Sequence, residues 1–167
     1  MAETWTLPGR LARWASERPD RKALIEMGPD GEWVSTTWGE YGQAVRHLAK
    51  GLISLGVQSG DGVALIGNNR RDWVISQMGI SAAAAVPAPI YATNTVDQVA
   101  YIVQHCRAKV AICDNEAQLA KYLAALDRGL IEIDHIITMD PIDSERAMVT
   151  SLADVIARGS ADPDDEL

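Results

Sequence analysis

The chain has no cluster of lysine or arginine, no long uninterrupted apolar run, and only two cysteines among its 167 residues. The first absence, with a formal charge of −8, argues against nucleic acid as a partner, because phosphate backbones are held by basic patches. The second excludes a membrane span of about 18 apolar residues; the longest candidate, Trp73 to Val86, is broken by Ser76, Gln77 and Ser81. The start, MAETWTLPGRLARW, lacks the continuous apolar region of a secretory signal, so a cytoplasmic location is expected. Cys106 and Cys113 cannot build a disulfide framework. His105 adjoins Cys106, but the C-x2-4-C spacing of zinc sites is missing, and no metal ligand is assigned. The closing DDEL resembles a retention signal that acts only in the secretory path, so GSADPDDEL reads as a solvated acidic tail.

What is present is a globular composition, 47% hydrophobic, of a length that suits one domain, for which about 100–200 residues is usual. Thr6 can cap a first helix with Pro8 in its first turn, Leu7, Leu11, Trp14 and Ala15 on one face, and Pro19 as its stop. KALIEM and EWVSTTW read as two strands around the turn GPDG, hence a hairpin. Thr37-x-x-Glu40 is a capping box; Tyr41, Val45, Leu48, Leu52 and Leu55 follow at helical spacing, and Gly56 sits where a left-handed cap belongs. His47, within this helix, reads as a structural or surface histidine.

Strand and helix then alternate. VALIG is a strand, and Asn69 is the expected cap of a helix carrying Asp72 in its first turn. That helix is apolar almost all round, which predicts burial. VPAPIY is extended, and Thr95-x-x-Gln98 is a second capping box opening a helix lined by Val96, Val99, Ile102, Val103 and Cys106. KVAIC is a strand, Asn115 caps a helix faced by Leu119, Tyr122, Leu123 and Leu126, HIITM is the last strand with His135 at its edge, and SLADVIARG is a short last helix. The expected fold is α/β: a mainly parallel sheet of βαβ units with helices on both faces, preceded by a helix and a β-hairpin.

The stretch GDGVALIGNNRRDW invites a phosphate-loop reading and fails it. Gly62 to Gly67 has the G-x4-G spacing, but Asn68 and Asn69 stand where Lys and Ser/Thr are needed. In a dinucleotide fingerprint Leu65 would replace the third glycine, and Gly60 and Gly62 precede the strand instead of following it. These glycines are turn residues; the helix beginning near Asn69 keeps free N–H groups, so weak anion binding there stays open beside a plain N-cap. Neither a G-x-S-x-G elbow nor a Cys/His/Asn signature is present, and no catalytic residue is assigned.

Taken in order, TTWGEY, GDGVALIGNNRRDW and ISAAAAVPAPIYATNTVDQVAYI resemble the N-terminal part of the AMP-forming acyl-CoA synthetases. IYATNT and DQVAYI point to the bacterial long-chain fatty-acid–CoA ligase branch. The resemblance runs from about Leu7 to the last strand. It implies residues 1–158 as the N-terminal subdomain of an incomplete large domain, with 159–167 as the tail. Relatives carry a glycine before the Val-Pro pair where AAAAVP has alanine, which suggests altered helix-end geometry.

The family chemistry has two steps: a fatty carboxylate attacks the α-phosphate of ATP to give acyl-adenylate and pyrophosphate, and coenzyme A thiolate then displaces AMP. By resemblance, the Ser/Thr/Gly-rich loop ending in Pro-Lys-Gly, the magnesium-holding glutamate and the C-terminal lysine all lie past this segment. ATP, Mg and coenzyme A are therefore expected of the complete enzyme, with none held tightly by this chain alone, which is expected to be inactive by itself. The resemblance places Tyr91, Ala92, Thr93 and Lys121 on the coenzyme A side, Tyr91 stacking on adenine and Lys121 meeting a phosphate. The bland alternative is a strand-end tyrosine and a surface lysine. Expected partners are the remainder of the synthetase, fatty acid and coenzyme A; a homodimer and a peripheral membrane position of the complete enzyme stay open. A stand-alone binding or dimerisation module is the competing function.

Overall fold

The structure, a computed structural model, describes residues 6–161. The residues read as signal-free start (1–5) and most of the acidic tail (162–167) lie outside the described residues.

Helix α1 (Leu7–Glu17) opens as expected, with the Thr6 hydroxyl accepting from the Gly9 N–H. Of its apolar face only Leu11 is buried; Trp14 stacks on Trp38 with ring centroids 5.6 Å apart. Strands β1 (Lys22–Met27) and β2 (Trp33–Thr37) form the antiparallel hairpin, a separate two-stranded sheet. Both halves of the Thr37/Glu40 capping box form at the start of α2 (Trp38–Ser54), and Gly56 has φ 92° just past its end, the left-handed conformation that glycine adopts without a Cβ penalty.

From there the chain alternates: β3 (Gly62–Ile66), α3 (Arg71–Ala82), β4 (Val86–Ile90), α4 (Val96–His105), β5 (Val110–Cys113), α5 (Glu116–Asp127), β6 (His135–Thr138), β7 (Val149–Ser151) and α6 (Leu152–Ala161). The five strands β3–β7 make one sheet in the order β4-β3-β5-β6-β7, parallel at every pairing. Pro87 and Pro89 stand in β4, an edge strand where their missing N–H groups cost no ladder bond. HIITM is not the last strand: β7, three residues long and at the opposite edge, is too short to show an alternating pattern.

Side-chain alternation along the central strands divides the core in two. Val63, Leu65, Val110, Ile112 and Ile137 face α1, α2, α3 and α6. Ala64, Ile66, Ala111, Cys113 and Ile136 face α4 and α5. Both faces of the sheet are covered, which is why β3 and β5 read as continuous apolar runs. No residue of α3 is exposed, as its all-round apolar pattern predicts. Gly159 to Ala161, read as the start of the tail, instead complete α6. Gly159 is buried because α6 lies directly on α2: a Cβ there would overlap the His47 carbonyl, and one at Gly51 would overlap Val155.

The alanines before the Val-Pro pair close α3. Ala84 takes the left-handed conformation itself, with φ 58°. The Ala84 and Ala85 N–H groups donate to the Ser81 and Ile80 carbonyls, closing α3 as a glycine cap would.

Candidate functional site

In an open parallel sheet, ligands are received at the carboxyl ends of the strands. After β4 the chain leaves the sheet at buried Ile90 and turns through residues 91–95 into α4. The turn is closed by the Asn94 N–H donating to the Tyr91 carbonyl at 3.0 Å, and Thr95 with Gln98 completes the second capping box. Tyr91 is 81% exposed and Thr93 is exposed beside it. Asn115 caps α5, its side chain accepting from the Gln118 N–H. The helix so begun brings Lys121 back to the same turn, where its Nζ donates to the Ala92 carbonyl at 2.6 Å. Tyr91, Thr93 and Lys121, 30 positions apart at the extremes, are thus gathered into one patch. The ammonium fixes the loop and keeps two further donors.

The turn after β3 behaves differently. The Asn68 N–H and its side-chain Nδ2 both donate to Asp114 Oδ2, at 2.9 and 3.0 Å. Asp114 is only 2% exposed, and Gly67 has no room for a Cβ beside it. The cap of α3 is Arg70 and not Asn69, and it offers no side-chain bond. Instead the Arg71 N–H donates to Glu26 Oε2 of the hairpin at 3.0 Å, while Arg70 pairs with Asp140 at 2.6 Å. Carboxylates of the protein itself occupy amides that a phosphate would use. Local pattern could not reveal this, because Asp114 and Glu26 lie 46 and 45 residues from their partners. The only local signal was negative: Asn69 offers a cap that the chain does not use.

Burial shifts several of the remaining titratable groups away from their ordinary values. Burial, reinforced by Asp114 and Asp140, pushes the Cys113 thiol up to about 12. Burial also raises Cys106. His47 is held below its ordinary value by burial and then by Lys50 and Arg46. Among the described residues no three His, Cys, Asp or Glu side chains converge to hold a metal ion. None of their helices is long and apolar enough to cross a membrane.

Comparison with known proteins gives this arrangement a family. A family model described as AMP-binding enzyme matches residues 11–166. The long-chain-fatty-acid–CoA ligase FadD15 of Mycobacterium bovis is 37% identical over 114 residues, covering 67% of this chain and 19% of the relative. The long-chain-fatty-acid–CoA ligase ACSBG2 of Xenopus laevis is 30% identical over 149 residues, covering 89% and 20% respectively. Among solved structures, the anthranilate CoA ligase AuaEII with anthranoyl-AMP superposes with a TM-score of 0.76 at 23% identity, over 90% of this chain and 27% of that one. The adenylation–carrier didomain of a carboxylic acid reductase from Segniliparus rugosus, with AMP, gives 0.77 at 19% identity, over 94% and 27%. These likenesses concern the fold, and the chain spans about a fifth of the length of the curated relatives it matches. The chain belongs to the AMP-binding enzyme family.

Proposed function

We propose that this chain is the N-terminal subdomain of a long-chain fatty-acid–CoA ligase, its described body running to the end of α6 at Ala161. It acts as scaffold for the two-step activation of fatty acid through acyl-adenylate to acyl-CoA. The observation that carries the reading is the family match over residues 11–166 together with relatives named as long-chain ligases. ATP, magnesium and the fatty acid are handled by groups outside this chain, consistent with a β3–α3 turn already filled by Asp114 and Glu26. The chain is inactive by itself on this reading.

Its own contribution is the coenzyme A side. Coenzyme A is a substrate with an adenine ring and phosphates. Tyr91 offers an exposed ring for stacking, Thr93 a hydroxyl, and Lys121 a charge already anchored at the loop.

The test is a chimera in which this chain replaces the matching span of FadD15, assayed for palmitoyl-CoA. Activity is expected. Lys121→Ala in that chimera should raise KM for coenzyme A about tenfold, the size of one charge-assisted hydrogen bond, without moving KM for ATP. A folded chimera that releases no pyrophosphate would overturn the ligase reading, and an unchanged coenzyme A KM would remove Lys121 from the site.

A further inference from the structure

A second concavity lies away from the Tyr91 loop, between α2, α6 and the start of α3. Its volume is about 560 Å³, within the range of small-molecule pockets. Gln43 and His47 form one wall, Arg71 and Asp72 another, and Leu152, Ile156 and Ser160 of α6 face them.

Arg71 is the unusual member. Its backbone N–H is taken by Glu26, yet its side-chain Nε is buried with no hydrogen-bond partner. No ion pair is recorded for its guanidinium among the described residues, where Arg70 has two. A guanidinium is a planar fork matched to carboxylate or phosphate, and with Nε shielded inside the protein it is the terminal nitrogens of Arg71 that are offered to the cleft. The neighbouring carboxylates make no direct pair with it. Asp72 leans to Arg70 at 3.5 Å, and Glu40 is held by Thr37 through its N–H and hydroxyl, attracting Arg71 only from beyond ion-pair distance.

We propose that this cleft binds a small organic oxyanion, its negative group on the Arg71 guanidinium and its apolar body on Leu152 and Ile156 of α6. The inference does not depend on the ligase reading, since no residue of the Tyr91–Lys121 patch lines the cleft.

The experiment is a titration of the isotope-labelled 167-residue chain with hexanoate, inorganic phosphate and hexanol, followed by amide chemical shifts. Hexanoate should give saturable shifts at Gln43, His47, Arg71 and Ser160, and hexanol should bind at least about tenfold more weakly. Arg71→Gln should weaken hexanoate by about tenfold or more and Arg71→Lys by less, since lysine keeps the charge and loses the fork. His47→Gln, on the facing wall, is the second variant and should weaken binding about threefold. Phosphate binding as tightly as hexanoate would overturn the role given to α6 and assign the inorganic ion. The absence of saturable shifts with either anion, or wild-type binding by a folded Arg71→Gln, would overturn the proposal.

Discussion

At the scale of single residues, Ala84 carries a conformation that L side chains adopt at a cost of roughly 1–2 kcal/mol. Its φ of 58° follows from the closing bonds of α3, which demand a left-handed residue whatever its identity. Ala84→Gly should therefore stabilise the chain by about 0.5–1 kcal/mol, after the extra backbone entropy of glycine is subtracted. Chemical denaturation checks it, with a higher midpoint and unchanged slope expected. The sequence drew attention to this segment through the missing glycine; the structure adds that the closing hydrogen bonds of α3 hold Ala84 in the left-handed conformation.

Three buried acids set the alkaline limit. Burial holds Tyr41 and Cys113 at about 12 against ordinary values of 10.0 and 9.0, and raises Tyr122 well above 10.0. Each is neutral when protonated, so the folded chain keeps a proton that the unfolded chain releases. Their stabilising contribution is complete below pH 9 and falls as pH rises from 9 towards 12. Each group takes away up to about 1.4 kcal/mol per pH unit within its window. Thermal melts from pH 8 to 11 should show a falling Tm that steepens above 10, and a Tm constant over that range would contradict this burial.

At the scale of elements, the two capping boxes, the Asn115 cap and the hairpin were legible because each is written within a few residues. The start of α3 was not. Asn69 has the right chemistry for a cap, yet tertiary contacts supply a better-placed acceptor in Glu26 of β1. This bond also ties the hairpin to the parallel sheet domain. Glu26→Ala should cost about 1 kcal/mol, as loss of a helix cap does, and should raise amide exchange in both β1 and the first turn of α3. Exchange rising in α3 alone would separate the cap from the tether. The same long-range logic hid Asp114, whose carboxylate closes the β3–α3 turn from the end of β5.

At the scale of the whole molecule, the parallel sheet was readable from alternation alone, whereas β7 and the helical state of Gly159–Ala161 depended on packing against β6 and α2. The hairpin face carrying Ile25, Met27 and Trp33 is between 55 and 69% exposed. Met27 and Trp33 are cross-strand partners, so these side chains form one patch. Such a patch marks a surface that packs on something, in keeping with a chain that spans a fifth of its relatives. A hydrophobic dye should bind the isolated chain, and Trp33→Lys should reduce that binding severalfold. Equal dye binding by that variant would place the apolar surface elsewhere.

The patch, the filled β3–α3 turn and the anchored Tyr91 loop all follow if this chain is one part of a larger ligase. The measurement that tests this most directly is the reading frame beyond the codon for Leu167. The account predicts an open frame that runs into a Ser/Thr/Gly-rich loop ending in Pro-Lys-Gly. A stop codon directly after Leu167 would contradict it and make the chain a stand-alone product.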